Sequence, residues 1–285
     1  MKIEKECEEC VLSQAKRVCD ILKLNKQQSE DILKIASLHI SKFNPNFSPP
    51  QNAYRFYEDI ANYLGVEDIY KEFKKESSRN AKKLNFICEE FLQNAEDELY
   101  CATKIAVVGN VIDLASQVQY NLKDELVNII NTSFEIDDFE KLRDSLKKTK
   151  NLVYLADNAG EEVFDKIFIE VIKKFFNQID VFYFTRGAPI INDLTFDEAL
   201  EAKMDEVAFV VDSGVKTPGF ILENANEHAL EIFKNSDLII AKGMGNYECL
   251  SEYSGYNIFH ILKVKCVVVA NALNANLGSI ICKKA

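Results

Sequence analysis

Residues 151–176 read NLVYLADNAGEEVFDKIFIEVIKKFF. The run Leu152–Ala156 is short, continuously apolar and rich in β-branched and aromatic side chains, which suits a strand covered on both faces. It stops at Asp157-Asn158-Ala159-Gly160, and the stretch from Glu162 to Phe176 reads as a helix. A buried strand, a polar turn and a helix in that order make half of a βαβ unit.

Similar units follow. Apolar runs at Val181–Thr185, Val207–Val211, Leu238–Ala241 and Cys266–Ala270 predict further strands, and Lys104–Val108 predicts one upstream. Helical segments at Phe196–Met204 and Ile221–Lys234 separate several of them. Alternation of this kind predicts an α/β fold with a mostly parallel sheet and right-handed crossovers. Residues 123–149 read as an inserted helical segment.

The first part of the chain has another rhythm. Gly65 is its one glycine before residue 109, and glycine-free stretches favour helix because glycine costs about 1 kcal/mol in a helix interior. Ile32, Leu33, Ile35, Ala36 and Ile40 recur at helical spacing. Pro45, Pro49 and Pro50 break the helices within FNPNFSPPQN (43–52). The expected organisation is a helical bundle or cap over 1–103 and an α/β domain over 104–285.

Composition narrows the function. The 285 residues are 47 % hydrophobic and 28 % charged, ordinary for a globular chain with a sizeable core. A net charge of −11 is the wrong balance for a nucleic-acid partner. No apolar run reaches the roughly 18 residues that span a bilayer, and MKIEKECEEC lacks the apolar stretch of a signal peptide. The expected address is cytoplasmic, with no membrane partner and with the eight cysteines reduced. The sequence leaves the oligomeric state open.

The polar residues cluster where the strands stop: Gly109-Asn110, Asp157-Asn158, Arg186-Gly187, Asp212-Ser213-Gly214, Lys242-Gly243-Met244-Gly245-Asn246 and Asn271. Open α/β sheets bind ligands at the carboxyl ends of their strands. Asp, Asn, Ser and Gly also make turns and helix caps, so each site taken alone has a plainer reading. Neither the dinucleotide fingerprint nor the P-loop nor Gly-x-Ser-x-Gly occurs. Three histidines, His39, His228 and His260, argue against a histidine-rich zinc site.

The runs VVGNVIDLA (107–115), YLADNAGEEVFDK (154–166), TRGAPIINDLTFDEA (185–199), VDSGVKTPGF (211–220) and AKGMGNYE (241–248) occur in this order. Together they resemble the family long called domain of unknown function 89, the damage-control phosphatases. CEECVLSQAKRV (7–18) is similar to the Cys-x-x-Cys opening of one branch. The resemblance implies a Rossmann-like α/β/α domain beside an N-terminal helical region. It also implies a divalent metal (Mn²⁺, Mg²⁺, Co²⁺ or Ni²⁺) and removal of phosphate from small phosphorylated metabolites, such as damaged or surplus sugar phosphates.

By that resemblance Asp157, Asn158 and Asp193 hold the metal, and hard oxygen donors suit Mg²⁺ or Mn²⁺ better than Zn²⁺. Lys242 matches a lysine expected at the phosphate, with Gly243 and Gly245 letting the backbone come close. Asn110 and Asp113 match a Gly-Asn-x-x-Asp run expected to line the site. Asp212 and Ser213 end a strand on the same edge, with Asp212 standing equally as a metal-shell or proton-transfer group and as a turn residue. Arg186 reads equally as a substrate contact and as a structural salt bridge, and Asn246 as a substrate contact or a loop stabiliser. Cys7 and Cys10, three apart, share a helix face, and incidental or buried thiols is their plainer reading. Two competing functions remain: an S-adenosylmethionine-dependent carboxyl methyltransferase, disfavoured by the missing glycine-rich loop, and a non-catalytic metabolite-binding protein.

Overall fold

The computed structural model describes residues 1–109 and 122–285. Six helices come first: α1 (Glu6–Ile21), α2 (Lys26–Ile40), α3 (Pro49–Leu64), α4 (Lys71–Lys82), α5 (Asn85–Asn94) and α6 (Glu98–Gly109). Their starts are coded locally. Asn25 and Ser48 each accept a bond from the backbone three residues on, while Gln28 and Gln51 reach back to complete capping boxes. Pro49 and Pro50 sit in the first turn of α3, where a missing N–H costs nothing.

The expected helical insertion holds α7 (Leu122–Asn131), a short strand β1 (Ile136–Asp137) and α8 (Phe139–Leu146). Then follow β2 (Asn151–Leu155), α9 (Glu162–Phe175), β3 (Asp180–Thr185), α10 (Phe196–Glu201), β4 (Phe209–Asp212), α11 (Glu227–Lys234), β5 (Leu238–Lys242) and α12 (Gly243–Leu250). The chain closes with β6 (Ile258–Lys263), α13 (Val267–Leu273) and β7 (Ile280–Lys284).

The strands form one sheet in the order β1-β7-β6-β5-β2-β3-β4. It is parallel throughout except where β7 runs antiparallel to β6. The α/β architecture is the expected one. From β2 the chain steps outward to β3 and β4, then returns to β5 on the other side of β2 and steps away to β6. The crevice at the carboxyl ends of β2 and β5 is therefore the switch point, where such sheets bind ligands.

Two expected strands are corrected. Lys104–Val108 lies in α6, and Cys266–Ala270 forms the cap and first turns of α13, which also takes Asn271 out of any strand end. Residues 101–108 of α6 are buried, and so are Val268–Ala270 of α13, so neither apolar run shows a polar face to betray a helical period. β6 and β7, which the sequence reading passed over, complete the sheet.

Alternation along β2 divides the core into two layers. Leu152 and Tyr154 join a cluster with α6, α8 and α9, whereas Val153 and Leu155 pack with α11 and α12 on the opposite face. Residues of α4 to α6 belong to the first of these clusters. Helices α1 to α3 build a cluster of their own, which takes in Ile190 from the segment after β3. The proposed boundary between residues 103 and 104 falls inside α6. No helix among the described residues is long and apolar enough to cross a membrane.

Candidate functional site

Two strand-end segments are stitched together at the switch point. The Leu194 N–H donates to the Asp157 carbonyl at 2.9 Å and the Ala159 N–H to the Asn192 carbonyl at 2.8 Å. Asn158 and Asp193 thereby form an antiparallel bridge outside the main sheet. This brings Asp157, Asn158 and Asp193 onto one wall of a cavity of about 530 Å³. Helices α1 and α3 face it with Cys7, Cys10, Gln14, Arg17 and Tyr57, and the β6–α13 connection adds Lys265 and Cys266. Ile191, two residues before Asp193, is a β-branched residue held at φ +45°, where such side chains are rarely found.

Charge is crowded here. Burial, then the neighbouring Glu161 and Asp193 carboxylates, push the Asp157 carboxyl well above its ordinary range, while Arg186 and Lys265 oppose the shift. Burial raises Asp193 to about 6 even though Arg186 donates from Nε to its Oδ2 at 2.7 Å. The Asn158 amide donates to Asp157 at 2.9 Å and to Glu161 at 2.8 Å. Two buried carboxyls beside an amide form a hard oxygen set whose mutual repulsion a divalent cation would relieve. Among the described residues no three His, Cys, Asp or Glu side chains form a ready-made metal cluster, so amide and solvent oxygens would complete the shell.

The other residues singled out in the sequence sit elsewhere. Lys242 is fully buried, and its Nζ donates to Asp165 at 2.7 Å and to Glu161 at 3.0 Å. Asp165 also accepts from the hydroxyls of Tyr154 at 2.6 Å and Tyr183 at 2.9 Å. Lys242, expected at the phosphate, is not among the residues lining the cavity, and its ammonium is held by two buried carboxylates. The buried Asn246 accepts from Arg186 at 3.2 Å and from the Phe220 N–H at 2.8 Å, and donates to the Lys242 carbonyl at 2.7 Å. It ties the start of α12 to the Phe220 segment and to the end of β2, and holds Arg186, which in turn grips Asp193.

Gly245 lines the cavity, but its packing sets its identity: a Cβ there would lie 2.1 Å from the Pro218 carbonyl oxygen. Gly243, at φ +77°, turns the chain from β5 into α12. Asp212 is exposed and accepts the Gly214 N–H at 2.8 Å, while the buried Ser213 donates to the Thr185 carbonyl at 2.5 Å. Both serve the turn after β4. Asn110 and Asp113 lie outside the described residues.

Four contributors escaped the sequence reading. Glu161 sits beside Asn158 within a quoted motif, and its own neighbour Glu162 resembles it in sequence. Lys265 was hidden next to the run taken for a strand. Arg17 and Tyr57 come from helices that carry no catalytic signature. Cys7, Cys10 and Cys266 remain thiols: burial raises all three, Cys7 to about 11.

The model of the damage-control phosphatase ARMT1-like domain family matches residues 3–281. The chain is 31 % identical over 286 residues to a damage-control phosphatase of Pyrococcus horikoshii, covering 100 % of this chain and 98 % of the relative. It is 32 % identical over 295 residues to a damage-control phosphatase of Archaeoglobus fulgidus, covering 99 % of each. An uncharacterized protein of Methanocaldococcus jannaschii is 33 % identical over 292 residues, covering 98 % of this chain and 94 % of that one. The crystal structure of a DUF89 family protein from P. horikoshii superposes with a TM-score of 0.91 at 29 % identity, covering 100 % of this chain and 99 % of the other.

Proposed function

This chain belongs to the damage-control phosphatase ARMT1-like family, and from that premise we propose that it is a divalent-metal-dependent phosphatase of small phosphorylated metabolites, hydrolysing phosphate monoesters such as sugar phosphates. One observation carries the reading: Asp157, Asn158 and Asp193 converge on a cavity of metabolite size at the switch point of the sheet.

Asp157, Asn158 and Asp193 would hold Mn²⁺, Mg²⁺, Co²⁺ or Ni²⁺, which supplies Lewis acidity toward a phosphoryl oxygen and a water of lowered pKa. The protein's own residues prepare that position. Arg186 fixes one oxygen of Asp193, and Asn246 fixes Arg186, so the carboxylate keeps its place when charge develops. Lys265 lines the same cavity, and its positive charge opposes the upward shift of Asp157. Lys242 balances Glu161 and Asp165 behind the site, so that Glu161 can hold the Asn158 amide. Helices α1 and α3 line the cavity opposite the strand ends. A cytoplasmic address with reduced thiols belongs to the same proposal.

A panel of sugar phosphates and related monoesters, each assayed with the four metals, tests this. We expect chelator-sensitive phosphate release that falls roughly a hundredfold or more in Asp157→Ala and Asp193→Ala, with folding retained by circular dichroism. Turnover indifferent to chelation and to both substitutions would end the proposal.

A further inference from the structure

Building on that reading, we propose that Arg17, on helix α1, is a substrate-binding residue that receives the phosphate group from the side of the cavity opposite the metal-binding aspartates.

The argument begins with which cations are spoken for. Arg186 is buried against Asp193 and Asn246, and Lys242 is buried against Glu161 and Asp165. Neither can turn toward a ligand without leaving a buried carboxylate unpaired. The basic residues among those lining the cavity are Lys265 and Arg17. Lys265 lies on the α/β side. Arg17 lies across from it, half-buried, in a stripe of α1 that also carries Cys7, Cys10 and Gln14. These positions are three, seven and ten residues apart from the first, so they share one helix face.

The guanidinium is under-used where it stands. Among the described residues its side chain makes one hydrogen bond, a long contact of 3.5 Å from Nη1 to the Gln14 side chain, and no carboxylate pairs with it. A planar fork of five donors, partly removed from water, is most stable opposite an oxyanion that can take two of them at once. The acidic and thiol residues Glu6, Cys7, Glu9 and Cys10 lie toward the start of the same helix. Arg17 is seven residues beyond Cys10, on the order of 10 Å along the axis. Tyr57 belongs to the facing helix. It stands on α3 and lines the same cavity as Arg17, Asp157 and Asp193. A phosphate against Asp157 and Asp193 thus has Lys265 on one side and Arg17 on the other. The helical region then contributes to anion recognition directly, as well as covering the cavity.

The test measures binding of inorganic phosphate, the reaction's product, to the full chain by titration calorimetry with Mn²⁺ present. It compares the wild type with Arg17→Met and Arg17→Lys, after melting curves show all three folded. We expect roughly tenfold or greater loss of phosphate affinity in Arg17→Met and partial recovery in Arg17→Lys, which restores the charge without the fork. The Michaelis constant for any monoester that is turned over should rise in parallel, more than kcat falls. Equal phosphate affinity in wild type and Arg17→Met, or no phosphate binding by the wild type, overturns the role of Arg17. A wild type that hydrolyses monoesters while Arg17→Met keeps its phosphate affinity leaves the phosphatase reading standing and removes Arg17 alone. Arg17-dependent phosphate binding without any turnover would do the reverse.

Discussion

Lys242 shows how far one residue's role depends on distant neighbours. Its ammonium is held by Glu161 and Asp165, 81 and 77 positions away in sequence, with nothing of the three exposed. Lys242→Met should destabilise the protein by about 3–5 kcal/mol, because it strands two carboxylates away from water. Urea unfolding monitored by circular dichroism measures this. A variant that unfolds at the wild-type midpoint but loses phosphate affinity would return the lysine to the cavity. The sequence made the opposite reading natural. A lysine at the start of a glycine-rich turn looks the same whether an anion or a buried carboxylate awaits it. Asp157, Asn158 and Asp193 were legible because strand ends and ordered motifs flagged them, and they share the cavity wall. Lys265 was not, because a lone lysine beside Cys266 and three valines carries no local signal.

At the scale of elements, two helix starts make separate predictions. Helix α12 passes so near the Pro218–Gly219 backbone that Gly245→Ala would drive a methyl group into the Pro218 carbonyl oxygen, 2.1 Å from the ideal Cβ position. We expect a loss of about 1–3 kcal/mol, visible as a lowered melting temperature. At the start of α9, Glu162 is 1 % exposed, and burial raises its carboxyl from 4.5 to about 7, against hydrogen bonds from Ser78 and the Gly160 N–H. The native protein therefore keeps a proton that the unfolded chain has already released between pH 4.5 and 7, so stability falls as pH rises through that window. Glu162→Gln cannot ionise. It should gain on the wild type, by order of 2 kcal/mol, between melts at pH 5 and pH 8. A pH-independent difference would mean the carboxyl is charged throughout. Elements were legible where polarity bounded them. Asp157 and Glu162 framed β2 and α9 almost to the residue, whereas Lys104–Val108 and Cys266–Ala270, apolar on all sides, gave no period from which to tell a buried helix from a strand.

For the molecule as a whole, the cation proposed at Asp157, Asn158 and Asp193 would bind the folded state alone. Mn²⁺ at about a hundred times its dissociation constant should then add about 2.7 kcal/mol, or several degrees in calorimetric melting temperature. Chelation should reverse the gain, and Asp193→Ala should abolish it. An equal rise in that variant would place the ion elsewhere. The same binding should reach the N-terminal helices. Ile190 belongs to the core of α1 to α3, Ile191 packs against it in its unfavourable left-handed conformation, and Asp193 follows two residues later. Those helices and the aspartate are thus yoked through a segment too short to slacken. Breathing of the bundle would then tug on the proposed ligand Asp193, and the residence time of a bound cation would gauge how often that bundle opens.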